Sequence, residues 1–194
     1  MKAIVLQSFG SPGNFVEQEL AAPALHAGEV LIDVKAASFN PVDCQIRRNG
    51  PRVPGRPLHS MILGRDLSGT VAAVADGVEG LAVGDDVYSY VATISSSGTY
   101  AEQVSVPAEL VAHKPGSLTH AQAAAVPVAG ITASLAVSKA RVSEAGSVFV
   151  GGGAGGVGTF AIMLARALGI RRIVTTAGSS QARAYLGERL GVQA

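Results

Sequence analysis

A cluster of glycines, Gly151-Gly152-Gly153-Ala154-Gly155-Gly156-Val157-Gly158, follows the apolar run Ser147-Val148-Phe149-Val150 and opens a second apolar segment from Thr159 to Leu168. The order is strand, tight turn, helix, which aims backbone N–H groups and the positive end of a helix at an anion. Gly153, Gly155 and Gly158 fit the G-x-G-x-x-G spacing. The first glycine makes the turn, the second lets a pyrophosphate reach the backbone, and the third lets helix pack on strand. Together with Ala154, Gly156 and Val157 they are candidate dinucleotide-binding residues. A lone match means little in a chain with 24 glycines, so context has to carry the reading. Val157, Phe160, Ala161, Leu164, Ala165 and Leu168 recur at helical spacing, Gly169 stands where a C-cap glycine belongs, and Arg172 to Thr176 reads as the next strand. A glycine-rich turn built only for close packing is the alternative.

A carboxylate at the end of that next strand would bind the ribose 2′-hydroxyl of NAD. This chain has none there; it continues Thr176-Ala177-Gly178-Ser179-Ser180-Gln181-Ala182-Arg183. Ser179 and Arg183 offer a hydroxyl and a guanidinium, the group suited to bidentate contact with a phosphate. The expected cofactor is therefore NADP(H), although Arg183 could equally be a solvated residue in the first turn of a helix from Gln181 to Leu190.

The elements around these residues have two textures. Lys2 to Gln7, Glu29 to Ala37, Leu67 to Ala75, Asp86 to Tyr90 and Thr99 to Val106 are short β-rich runs separated by Gly, Pro and Asp turns, which predicts a barrel-like β domain. A helical stretch from Thr119 to Leu135, broken by Pro127 and Gly130, leads to a helix-like Ser134 to Ala140 and then to the glycine-loop strand. The boundary is expected near Ala121 to Pro127, giving domains of residues 1–124 and 125–194. With 194 residues and 48% hydrophobic content the chain can bury a real core. Its net charge of +1 argues against nucleic acid or a membrane surface as partner. The apolar N-terminal stretch is too short for a signal peptide and no run is long enough to span a bilayer. A lone cysteine, Cys44, fits a reducing compartment, so a cytoplasmic location is expected.

Read in order, several stretches resemble one family. They are Ala37-Ser38-Phe39-Asn40-Pro41-Val42-Asp43, Leu63-Gly64-Arg65-Asp66-Leu67-Ser68-Gly69-Thr70-Val71, Val83-Gly84-Asp85-Asp86-Val87-Tyr88, Gly98-Thr99-Tyr100-Ala101-Glu102, Ala124-Ala125-Val126-Pro127 with Gly130-Ile131-Thr132-Ala133, and the glycine loop. The chain resembles the zinc-independent, zeta-crystallin-like quinone oxidoreductase branch of the medium-chain dehydrogenase/reductase superfamily. The resemblance implies a fold of α/β plus β class: a GroES-like β-rich barrel domain, then a partial Rossmann cofactor domain, with NADPH in the cleft between them. It also implies that Asn40 and Thr132 lie near the nicotinamide, that Asp43 lies beside the substrate entrance, and that the intact protein is a homodimer. Asn40 and Asp43 could instead serve a turn or a cap.

Zinc-using relatives carry Cys, His and Glu at positions that resemble Asn40, Arg65 and Asp66, with another Cys or Asp around Ala129. A guanidinium cannot ligate zinc and an amide does so poorly, so no metal is expected. The four-cysteine zinc lobe is also missing from Val91 to Thr99. Without a Lewis acid, the acceptors that suit hydride transfer are quinones and activated alkenes. Tyr88, Tyr90 and Tyr100 are read as core or edge residues, and His26, His59, His113 and His120 lack metal-ligand spacing. Arg47, Arg48, Arg52 and Arg56 read as a solvated face, with a phosphate-bearing substrate as the alternative. The enoyl-thioester reductases of the superfamily keep a tyrosine where Asn49-Gly50-Pro51-Arg52 stands, which lowers that reading. Only part of the first mononucleotide half is present, so the chain reads as a fragment, a truncated product or a nonenzymatic NADPH-binding or interaction module.

Overall fold

The computed structural model describes residues 1–50, 61–91 and 98–192. The chain forms two compact units, Met1–Pro127 and Val128–Ala194.

The first unit is built on antiparallel strands whose alternation of apolar and polar residues turns one face inward. β1 (Lys2–Leu6) lies between β2 (Phe15–Glu19) and β4 (Met61–Ile62) in a three-stranded sheet. β3 (Glu29–Ala37), β5 (Asp66–Val74), β6 (Asp86–Tyr90), β7 (Gln103–Pro107) and β8 (Val111–His113) form a five-stranded sheet in the order β7-β3-β5-β6-β8. Val30 and Ile32 of β3, Leu67 and Val71 of β5, Val87 of β6 and Val104 and Val106 of β7 meet in one buried cluster with Val91. Register shifts at Leu31/Ile32 and Val34/Ala36 kink β3, as bulges do. The expected strand from Thr99 starts four residues late. Thr99 and Tyr100 instead donate their N–H groups to Gly64 and Leu63 at 3.3 and 3.0 Å, so this stretch belongs to the segment before β5.

Among the described residues two α-helices complete the unit, α1 (Pro41–Asn49) and α2 (His120–Ala124), the latter capped by Thr119 and packed on β5, β3 and β6. Of the turn and the cap that the sequence left open at Asn40 and Asp43, the structure has the cap, at the start of α1. Asn40 is its N-cap, Pro41 fills the first position and Asp43 the third, the places where a missing N–H and a negative charge are favourable. The arginine loop needs correction too. Arg47 is buried, and its guanidinium donates to the Gly10 carbonyl, because α1 turns that face inward. Arg48 is exposed; Arg52, Arg56 and His59 lie outside the described residues, as does most of the stretch from Val91 to Thr99.

The second unit opens with α3 (Pro127–Lys139). The expected break at Pro127 is present, since α2 ends at Ala124 and α3 starts at Pro127, but the one at Gly130 is absent, and the separate piece from Ser134 is the end of this same helix. Proline in a first turn gives up only an N–H that has no helical partner. α3 is followed by β9 (Ser147–Val150), α4 (Gly156–Ala167), β10 (Arg172–Thr175) and α5 (Ser180–Leu190), with β9 and β10 parallel, so β9, α4 and β10 form a βαβ unit. Ile162 and Ala165 of α4, Ile173 of β10 and Leu186 of α5 pack with Val142, Ile170 and Val192. On the opposite face the cross-strand pair Phe149 and Val174 is 67% and 46% exposed. Between α3 and β9, Arg141 adopts φ 49°, the only positive φ at a non-glycine residue among those described. Such a conformation costs on the order of 1–3 kcal/mol.

Candidate functional site

The glycine loop runs from Val150, the end of β9, to Gly155, the N-cap of α4. Its glycines have separate duties. A Cβ on Gly153 would stand 2.2 Å from Thr175 Oγ1 and 2.9 Å from Ile162 Cδ1, so this glycine lets β10 and α4 close on the loop. A Cβ on Gly158 would stand 2.3 Å from the Gly152 carbonyl oxygen, so that position lets the helix pass against the turn. Gly155 is different: its Cβ would meet only the Gly152 oxygen at 3.3 Å and otherwise open space. The loop is braced by Gly155 N donating to Gly152 O at 3.0 Å, Gly152 N to Thr176 Oγ1 at 2.9 Å and Thr159 Oγ1 to Gly153 O at 3.1 Å. Thr175 Oγ1 donates to Val150 O at 2.5 Å and ties the ends of the two strands.

Ala154, Gly155, Gly156 and Val157 are exposed, and no side chain caps α4. The first N–H groups of this helix therefore face solvent with its positive end, which is what a phosphate requires.

Beyond β10, Ser179 caps α5 by accepting the Ala182 N–H at 3.1 Å. Among the described residues its hydroxyl proton has no acceptor. Arg183 lies in the exposed first turn of α5, and among the described residues no side-chain partner holds its guanidinium. Thr132 is exposed on α3, where its hydroxyl donates to the Val128 carbonyl at 2.6 Å.

Asn40 and Asp43 belong to a buried polar cluster in the first unit. Asn40 Nδ2 donates to Asp66 Oδ2 at 2.8 Å, and Ser38 Oγ donates to the same oxygen at 2.6 Å. Asp43, expected beside a substrate entrance, is 1% exposed, as is Asp66. One Asp43 oxygen accepts the Asn40 N–H at 2.8 Å and the other accepts the Gly64 N–H at 3.2 Å. Gly64 has φ +95°, and a Cβ there would enter the Tyr100 ring and Thr99 Oγ1 at 2.7 and 2.3 Å. Tyr100 packs edge-on to Phe15, ring centroids 6.5 Å apart. Its buried hydroxyl makes no hydrogen bond of standard geometry among the described residues. Burial first, and then the nearby carboxylates of Asp43 and Asp66, hold this phenol well above the ordinary range, so it keeps its proton. Arg65 Nη1 donates to Tyr90 Oη at 3.0 Å.

The alcohol dehydrogenase GroES-like domain family matches residues 26–116. The tomato (Solanum lycopersicum) 2-methylene-furan-3-one reductase is 36% identical over 93% of this chain and 48% of its own length. The NADPH-dependent alkenal/one oxidoreductase of Arabidopsis thaliana chloroplasts is 34% identical over the same shares, 93% and 48%. A solved alcohol dehydrogenase superfamily protein from Novosphingobium aromaticivorans superposes on 100% of the chain and 57% of its own, with TM-score 0.89 and 38% identity. The chain belongs to the medium-chain dehydrogenase/reductase superfamily. Quinone oxidoreductase from Coxiella burnetii, another member with a solved structure, matches with TM-score 0.87 and 34% identity over 99% of this chain and 60% of that one. The superfamily accounts for the two textures: a GroES-like domain, then the beginning of a Rossmann-like one. The chain spans about half the length of the curated relatives it matches, 48% in the first two.

Some site residues carried no separate signal before the structure placed them. Ser38, Gly64 and the hub position of Asp66 stand in motifs quoted for resemblance, yet nothing in their spacing shows that they meet. The Asn40-x-x-Asp43 spacing before a helix did carry a signal, that of a capping pair.

Proposed function

We propose that this chain carries the GroES-like part and the adenosine-side cofactor site of an NADPH-dependent reductase of quinones or activated alkenes. The observation that carries the reading is the uncapped, exposed N-terminus of α4, reached through glycines that hold the loop against β10. In this reading the backbone N–H groups from Gly153 to Gly158 hold the pyrophosphate, and Arg183 with the free proton of Ser179 holds the 2′-phosphate. The acidic residue that would select NAD is missing after β10, where Thr176, Ala177 and Gly178 follow. When bound, NADPH supplies a hydride to an electron-poor acceptor. Thr132 is assigned to the nicotinamide side. Asn40 and Asp43 act as positioning residues, since their hydrogen bonds to Asp66 and Gly64 fix the end of β3 against the start of β5.

The reading takes no catalytic zinc, and donor chemistry supports this. A guanidinium has only donors, and Arg65 uses one on Tyr90, while Asn40 turns an amide N–H toward Asp66. The names of the relatives, alkenal/one oxidoreductase and quinone oxidoreductase, support the acceptor class. No helix among the described residues is long and apolar enough to cross a membrane. A cytoplasmic location, supported by the single cysteine, and a homodimer, supported by the exposed Phe149 and Val174, belong to the same reading.

The test is titration of the purified chain with NADPH and NADH, then NADPH oxidation with a quinone and an enone. NADPH is expected to bind more tightly, and Arg183→Ala to weaken NADPH by about 1–3 kcal/mol, the range for a charged hydrogen bond, with little change for NADH. Equal losses for both cofactors would remove Arg183 from the site, and no NADPH binding by the parent chain would overturn the reading.

A further inference from the structure

A second site stands in the same unit, far from the glycine loop. α4 has 12 residues and is therefore about 18 Å long, with the loop at its N-terminus. At its other end lies an open cavity of about 460 Å³. Ser134 and Ser138, one turn apart on α3, and Ser143 beyond it bring three hydroxyls to the wall, while Leu164 and Leu168 of the α4 end bring apolar surface. Arg141 stands on the same wall in its left-handed conformation. Glycine is the residue that such a helix end selects, yet the chain places a guanidinium there. Among the described residues nothing pairs with the Arg141 side chain or with the three hydroxyls.

The helix ends do not consume this charge. α3 and α4 carry Lys139 and Arg166 in their last turns, which offset the negative ends of the two helices. Arg166 is further occupied by the Gly191 carbonyl at 2.7 Å. Glu144 also lines the cavity, and its carboxylate repels a second negative charge on any ligand. The lining thus asks for one negative charge, hydrogen-bond acceptors and an aliphatic body. We propose that this cavity binds an amphipathic monoanion, a carboxylate on an aliphatic chain, with Arg141 as its charge partner.

The experiment is a titration of the purified chain with decanoate, 1-decanol and inorganic phosphate, read by calorimetry and by methyl resonances of Leu164 and Leu168. Decanoate is expected to saturate and to shift both leucines, with decanol and phosphate each weaker by about tenfold or more, since each lacks one half of the recognition. Arg141→Gly separates binding from structure. Glycine accepts φ 49° without strain, so this variant is expected to melt at the same or a higher temperature. Its decanoate affinity is expected to fall by about tenfold or more, the order for one charged hydrogen bond, with NADPH affinity unchanged. A glycine variant that binds decanoate as the parent does would show that Arg141 is only a helix terminator. The proposal also falls if decanoate shifts neither leucine, or if decanol or phosphate binds as well.

Discussion

Alanine at Gly155 is expected to weaken NADPH binding by about tenfold or more, or about 1.4 kcal/mol, while stability changes by no more than about 1 kcal/mol. The new methyl group meets only the Gly152 oxygen at 3.3 Å, so the fold has room for it. The space it takes is the open side of the loop, where a phosphate would have to reach the N–H groups. Gly158→Ala makes the contrast. Its methyl group would stand 2.3 Å from a carbonyl oxygen and 2.8 Å from Gly153 Cα, both backbone atoms, so the turn or the helix must move. Overpacking of this kind costs about 1–3 kcal/mol, and binding should be lost with it. Urea denaturation and fluorescence titration on the two variants decide the matter. If Gly155→Ala binds NADPH as the parent does, the loop is packing and not a phosphate site.

The second large effect is expected at Asp66. Asp66→Ala leaves the Asn40 amide and the Ser38 hydroxyl without the oxygen to which both donate, at 2.8 and 2.6 Å, in a place that is 1% exposed. Each orphaned buried donor costs about 1–3 kcal/mol, so a loss on the order of 2–5 kcal/mol is expected from the urea midpoint at unchanged slope. Asp66→Asn keeps one acceptor oxygen and should lose less. A loss below about 1 kcal/mol for the alanine variant would mean that Asn40 and Ser38 find other partners and that Asp66 is no hub.

The two sites differed in how far the sequence disclosed them. The glycine loop was legible because its requirement is local: strand, turn and helix follow within 12 residues of Ser147, and only a side chain without Cβ satisfies the contacts at Gly153 and Gly158. The Asp66 cluster was not, because its bonds join residues 26 and 28 positions apart, and such pairing depends on which strands lie side by side. The β3 and β6 boundaries were read correctly, since buried positions alternate with more exposed ones in the first half of β3 and along all of β6. The break at Pro127 was legible, but the start of α3 was misread at Gly130, which looks like a breaker when helix propensity alone is weighed and yet lies inside the helix. Arg47 was misread for a similar reason. Charge predicts exposure on average, but the Gly10 carbonyl gives this guanidinium a partner inside.

The two units also differ in how far along the chain their contacts reach. In the first, the side chains of Ser105 and Glu29 on β7 and β3 bond across 76 positions, and the Lys2 amide reaches Glu102 across 100. In the second, β9 and β10 are tied by Thr175 and Val150 across 25. Closing a long loop must precede any reward from the contacts it allows, so the halves run on different clocks. The βαβ unit with the glycine loop can form early from nearby pieces. The β-rich unit must wait for β7 to be present before β3 has both neighbours, so until β7 pairs with it the flank of β3 is an open strand edge.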